Sequence, residues 1–263
     1  MTRVCVVGAC GRMGEAVRRA LAEAPGLELG GALELPGHPG LSTLLEGGVR
    51  VVDDPKQALA GCTAAIDFSA PAAALAAARA AADAGAAFVS GTTGLSERDR
   101  EILAELSERV PVLSAPNFST AVNVLVWLTR EAARRLGPGF DAELVELHHA
   151  AKRDAPSGTA LRLAEAVAEG RGVALRDHLV LERSGDVGPR PAGAIAIQAL
   201  RGGDSPGEHV VHFVGRGERL ELAHRSATRD HFARGAVAAA AWLVGRRPGL
   251  YRIEQVLGLE PAD

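Results

Sequence analysis

The chain has 263 residues, 47% of them hydrophobic and 23% charged, with a formal net charge of −3, as expected of a soluble globular protein with a full core and room for two domains. The charge balance gives no electrostatic argument for nucleic acid or an anionic membrane, and no apolar run is long enough to span a bilayer, since Arg79 interrupts the alanine-rich stretch at 72–82. The start of the chain has no signal-peptide layout, and three cysteines (Cys5, Cys10, Cys62) without a CxxC pair argue against both a disulfide framework and a zinc site, so the cytoplasm is the expected compartment.

Short apolar runs alternate with amphipathic ones over the first 115 residues. RVCVV (3–7) reads as a strand, MGEAVRRALAEA (13–24) as a helix ended by Pro25-Gly26, and LELGGALE (27–34) as a second strand. AAIDFS (64–69) is strand-like, a helix over 71–84 stops at Gly85, and AAFVSG (86–91) is a strand. SERDREILAELSER (96–109) is a helix with Ser96 as its N-cap, and PVLSA (111–115) is another strand. This alternation predicts βαβ units and a parallel sheet with right-handed crossovers.

The rhythm then changes. A helical stretch (119–136) leads into the strand AELVELHH (142–149), and a helix follows from about Ser157 to Glu169. Strands are expected near 178–183 and 194–201, and VVHFVGRGERLELAH (210–224) alternates on both sides of Gly-Arg-Gly as an antiparallel hairpin does. These strands suggest a second, mixed-sheet domain. HFARGAVAAAAWLVG (231–245) is helical, and GLYRIEQVLGL adds a last turn.

GACGRMG (8–14) follows the first strand at once and opens a helix. In a dinucleotide site such glycines allow a tight turn and close approach of the pyrophosphate, whose charge sits on the helix N-terminus. An acidic residue for the ribose is then required about 20 positions on. Glu34 meets that requirement at the end of the second strand. A glycine-lined turn in some other α/β protein is the plain alternative. Arg12 suits a 2′-phosphate contact and equally a surface position. GTTG (91–94) and APNFS (115–119) each follow a strand of the same half, on the side where open parallel sheets bind ligands, although each is also an ordinary turn or cap.

HHAAKRDAPSGTA (148–160) concentrates the remaining chemistry. Of 29 basic residues only Lys56 and Lys152 are lysines. Arginine does not give up a proton, whereas lysine and histidine can. A nicotinamide enzyme needs a proton source as hydride arrives, and His148, His149 and Lys152 offer one. The helix start at PSGTA presents backbone amides that bind anions, which suits a small substrate bearing carboxylates. Ser157 and Thr159 read equally as caps.

In this order, GACGRMG, GTTG, SAPNFS, HHAAKRDAPSGTA, RGGDSPGEHVVHF and HRSATRDHFARGA resemble the 4-hydroxy-tetrahydrodipicolinate (dihydrodipicolinate) reductases of the diaminopimelate route to lysine. The resemblance implies an α/β protein with a Rossmann-type nucleotide domain (1–118 and 229–263) and an inserted α+β mixed-sheet domain (119–228) for substrate binding and tetramerisation. It implies NADH or NADPH contacts at Gly8, Ala9, Cys10, Gly11, Arg12, Met13, Glu34, Gly91, Thr92, Thr93, Ala115, Pro116, Asn117 and Phe118. His148 and Lys152 match the family's proton donors, and His149, Gly158 and Thr159, with Ser157 beside them, match the residues that hold a dicarboxylate. Hydride is then expected at ring C4 and a proton on the neighbouring carbon, with no metal, no nucleic acid and no membrane involved.

Two departures stand out. Leu35 replaces the arginine that some members place after the ribose-binding acid, which leaves Arg12 for a 2′-phosphate and predicts use of both cofactors with a lean to NADH. Ala121 replaces a glycine in NFSTAVN, which is expected to perturb a helix start rather than the chemistry. Competing expectations are another two-domain NAD(P)-dependent amino-acid or semialdehyde dehydrogenase, and a non-catalytic NAD(H)-sensing protein. A phosphorylating semialdehyde enzyme needs a cysteine nucleophile, and none of the three cysteines is well placed.

Overall fold

In a computed structural model of the chain, which describes residues 1–260, the first sheet grows from strand β1 (Thr2–Val7). Val4 to Val7 are buried, the unbroken apolar run of a parallel strand covered on both faces. Helix α1 (Arg12–Glu23) buries Ala16, Val17, Ala20 and Leu21, spaced to put one stripe on the sheet. Strand β2 (Leu27–Leu33) pairs with β1 in parallel. The segment after it, unassigned from sequence, contains β3 (Val51–Val52) and α2 (Pro55–Leu59), too short to carry a periodic signal.

At Gly31 a Cβ would collide with the carbonyl of Ala58 in α2. Gly31→Ala is therefore expected to destabilise the protein by about 1–3 kcal/mol, as overpacking does. A thermal melt checks it, and an unchanged Tm would mean that α2 moves aside freely.

Strand β4 (Ala64–Asp67), helix α3 (Pro71–Ala84), strand β5 (Ala87–Ser90), helix α4 (Glu97–Ser107) and strand β6 (Pro111–Ser114) follow as the sequence predicts. Alanines line the buried side of α3, and Gly85 ends it in the left-handed region at φ 70°. Ser96 caps α4 in a reciprocal box with Asp99.

A second compact unit spans residues 121–228, the first comprising 1–120 with 229 onward. Helix α5 (Thr120–Leu136) starts normally with Ala121 exposed in its first turn, so the departure there leaves the helix start intact. Strand β7 (Asp141–His148), helix α6 (Gly158–Arg171), strand β8 (Leu179–Val180), strand β9 (Ile195–Arg201), strand β10 (Glu208–Val214) and strand β11 (Arg219–Arg225) complete it. The sheet order is β11-β10-β7-β9-β8, antiparallel across its first three strands and parallel from β7 to β8. Ala142, Leu144, Ile195, Ile197, Val211 and Phe213 form one core with α6. The strand expected over 178–183 shortens to two residues, because only Leu179 and Val180 meet β9.

Helix α7 (Asp230–Leu243) returns to the first unit and packs on α1. The stretch expected to be a last turn is instead β12 (Gly249–Tyr251), paired in parallel with β6, and then helix α8 (Ile253–Val256). The first sheet thus runs β12-β6-β5-β4-β1-β2-β3, all in parallel.

Candidate active site

The α6-covered face of the second sheet changes character along its length. On β7 the buried positions are Ala142, Leu144, Glu146 and His148, two apolar and then two polar. The neighbouring strands match this. His209 of β10 stands opposite Glu146, and Arg201 of β9 stands beside His148. Three strands therefore deliver an acid, two histidines and an arginine to one end of an otherwise apolar core.

Glu146 holds the group together from a fully buried side chain. Arg201 donates Nη1–H to Oε2 and Nη2–H to Oε1, each at 2.9 Å, a bidentate pair of the strong kind. The Ser157 N–H donates to Oε1 at 3.0 Å, and the Nδ1 side of His148 contacts Oε2. Burial alone would push the Glu146 carboxyl up, but Arg201, His148 and the Ser157 amide together hold it below its ordinary value. His148 is displaced downward, chiefly by burial, with Lys152 and Arg201 adding to the effect and Glu146 opposing it. With Nδ1 turned to the carboxylate, Nε2 is the nitrogen left for chemistry. A Cβ at Gly207 would lie 2.8 Å from it, so that glycine keeps the approach open.

His209 packs edge-on against His148 with ring centroids 5.2 Å apart, and its Nε2 meets Ser157 Oγ at 3.1 Å. Burial pushes it down to about 4, aided by His148, His224 and Lys152 and opposed by Glu146. The unfolded chain then binds the proton near 6.5 and the folded one only near 4. Stability from this group is present above 6.5 and is lost as pH falls toward 4, by about 3 kcal/mol. Urea titrations at several pH values check this: His209→Asn is expected to flatten the acid loss, and an unchanged slope would contradict it.

Lys152 lies on the turn after β7, where its N–H donates to the His149 carbonyl at 3.0 Å. Its Nζ meets Asp154 at 2.9 Å, a partner that is largely exposed. Gly158 and Thr159 open α6 and are exposed and half-buried. His149 is half-buried, its N–H donating to Ser205. Ser157 departs from the expectation of a substrate ligand: it is 2% exposed, and its N–H and Oγ already serve Glu146, Ala160 and His209. It supports the site from beneath. Glu146 and Arg201 were not singled out from sequence, where the alternation of Glu146 and His148 on one strand face was the available signal; His209, in the GEH triplet, stands out there without an assigned role.

In the first unit, Gly14 lets α1 start against the loop, because a Cβ there would collide with the Gly8 carbonyl. Gly11 precedes the helix with no side-chain cap, so the α1 amides can take an anion. Cys10 and Leu35 donate their N–H groups to the Glu34 carboxylate at 2.7 and 3.3 Å, which sets it beside the same loop. Amides for a pyrophosphate and a carboxylate for a ribose are what a dinucleotide requires, so these residues fit one. Arg12 is exposed on the first turn.

The loops after β5 and β6 offer backbone more than side chain. Thr92 Oγ donates to Asp67 at 2.7 Å, and Asp67 also accepts from Ser69 and Ser90 hydroxyls at 2.5 and 2.6 Å. Burial raises the Asp67 pKa, against the pull of those donors. This network, unread in the sequence, ties the Gly91–Thr93 loop to the end of β4. Phe118, expected at the cofactor, turns its ring into the core against Phe68, so only its backbone is available. Ala115 is also buried, and Asn117 caps the Ser119 N–H at 2.8 Å.

Residues 2–118 match the family model described as dihydrodipicolinate reductase, N-terminus, and residues 121–257 the one described as dihydrodipicolinate reductase, C-terminus. The chain is 50% identical over 266 residues to the 4-hydroxy-tetrahydrodipicolinate reductase of Anaeromyxobacter dehalogenans strain 2CP-1, covering 98% of each. It is 45% identical to the reductase of the same name from Geotalea daltonii, over 99% of this chain and all of the other. Among solved structures, a dipicolinate-bound dihydrodipicolinate reductase from Paenisporosarcina sp. TG-14 superposes with a TM-score of 0.79 at 22% identity, over 96% and 97% of the two chains. A probable dehydrogenase from Thermotoga maritima shares the fold at a TM-score of 0.62 and 12% identity, over 97% and 92%.

Proposed function

The chain belongs to the dihydrodipicolinate reductase family, and from that premise we propose how its residues divide the work of reducing 4-hydroxy-tetrahydrodipicolinate. It is an NAD(P)H-dependent oxidoreductase of the diaminopimelate route to lysine. The observation that carries the division of roles is the clamp of Glu146 on His148, which fixes one imidazole nitrogen and frees the other.

The first unit binds the nucleotide through the 8–13 loop, the α1 N-terminus and Glu34, with Gly91–Thr93 and Ala115–Phe118 contributing chiefly backbone. When bound, the reduced nicotinamide supplies the hydride, expected at C4 of the substrate ring. His149 and the amides of Gly158 and Thr159 take the carboxylates, the α6 dipole favouring negative charge there. Lys152 Nζ exchanges its exposed Asp154 partner, a weak one by position, for the substrate. The proton for the neighbouring carbon then comes from Nζ or from His148 Nε2–H, while Glu146 and Arg201 keep the imidazole oriented.

Tetramerisation is supported by the second sheet's other face, where Val145 and Leu147 are half-buried and Leu200 is 50% exposed. A cytoplasmic site is supported by three free cysteines, and no described helix is long and apolar enough to cross a membrane. A phosphorylating semialdehyde enzyme is disfavoured, because burial pushes the Cys5 and Cys62 thiols up. A mere NAD(H) sensor would have no use for the buried Glu146 clamp.

Steady-state oxidation of NADH and NADPH in the presence of the substrate tests the nucleotide assignment. Both are expected to be used, with the higher kcat/KM for NADH, since Leu35 offers no charge to a 2′-phosphate. A clear NADPH preference would contradict it and assign the phosphate to Arg12.

A further inference from the structure

The sequence argued against a zinc site because no cysteine pair is present. The fold nonetheless assembles a mixed donor set from separate segments: Cys10 in the loop after β1, Glu34 at the end of β2, and His38 in the turn beyond it. One Sγ, one carboxylate oxygen and one ring nitrogen all lie within 4.8 Å of one another. Tetrahedral zinc with such ligands spaces them about 3.3–3.6 Å apart, so side-chain rotation of about 1 Å closes the set.

Backbone hydrogen bonds hold the donors in place. The Cys10 N–H donates to Glu34 at 2.7 Å and the His38 N–H to the Leu35 carbonyl at 3.0 Å, whereas the Gly40 N–H donates to the lone pair of His38 Nδ1 at 3.0 Å, a bond the ring gives up when it takes a metal. Gly40 also leaves the intervening space open: a Cβ there would stand 2.7 Å from Cys10 Sγ and 3.0 Å from His38 Nδ1. Sulfur, imidazole and carboxylate together select zinc-class ions over magnesium or calcium, which take oxygen ligands. A thiolate and a carboxylate neutralise a dication, and a water completes four-coordination.

We propose that Cys10, Glu34 and His38 form a binding site for one zinc-class divalent cation, sharing Glu34 with the nucleotide. The sharing rests on the ribose role proposed for Glu34; the metal site itself does not.

Zinc titration of the full, tag-free chain by calorimetry tests it. One Zn²⁺ per chain is expected, weakened at least about 100-fold by His38→Ala, given that even an outer-sphere change costs 10–100-fold. Gly40→Ala keeps all three donors but fills the space between them, and should weaken zinc as well. Co²⁺ should give a thiolate charge-transfer band that His38→Ala abolishes, Cys10 being the cysteine that is not buried. No stoichiometric zinc, equal affinity in wild type and His38→Ala, or a cobalt complex without the thiolate band would overturn the site. Saturating NADH should raise the apparent Kd for zinc. Site-specific zinc that ignores NADH would uphold the metal site and remove Glu34 from the ribose.

Discussion

Replacing Glu146 by alanine is expected to cost about 3 kcal/mol of stability and to lower turnover about 100-fold in the protein that remains folded. The stability loss arises because Arg201 loses the carboxylate that accepts from both of its Nη groups, and breaking a buried pair from one side costs about 3–5 kcal/mol. The Arg201 side chain is 19% exposed, so water reaches part of it and the lower end of that range applies. The activity loss has a separate cause, since His148 would no longer be held by Nδ1. Glu146→Gln separates the two: it preserves volume and one acceptor, so it should retain more stability than activity. Urea unfolding and kcat measured on both variants check this. Equal stability in wild type and Glu146→Ala would mean that Arg201 swings out to solvent.

Lys152→Met is expected to reduce kcat about 10³-fold, within the range that a positioned proton donor contributes, while nucleotide affinity stays unchanged. Methionine preserves the unbranched stem and removes the ammonium. The residual rate has a predicted pH dependence. Burial holds the His148 pKa below its ordinary 6.5, so its imidazolium becomes more abundant as pH falls. In Lys152→Met the remaining activity should therefore rise from pH 8 toward pH 6, and His148→Ala should lack that rise. A flat residual rate in Lys152→Met would exclude His148 as the second donor.

Much of this was readable in the sequence because local signals agreed. The β1–loop–α1 segment combined an apolar strand, required glycines and a following acid at Glu34, while Ser96 bounded a helix by its side-chain oxygen and Gly85 by its freedom to take a positive φ. What escaped was set by pairing at a distance. Val51–Val52 and Gly249–Tyr251 are strands because β2 and β6 lie beside them, not because two or three residues carry a period. The same applies to the site. His148 and Lys152 stood out beside each other in the chain. Arg201 and His209 join them only because β9 and β10 flank β7 in one register, and a shift of one residue would turn both to the other face. Cys10 and His38 likewise become neighbours only after β2 folds beside β1.

The most direct test follows NADH oxidation with 4-hydroxy-tetrahydrodipicolinate generated in situ from pyruvate and aspartate semialdehyde, in wild type, Lys152→Met, His148→Ala and the double variant, with NADH affinity measured in parallel. Turnover should collapse in each single variant and fall further in the double, which loses the His148-dependent residual rate of Lys152→Met, while NADH affinity stays within about twofold of wild type, the nucleotide residues being untouched. Wild-type turnover in either single variant would contradict the assignment of proton transfer to His148 and Lys152.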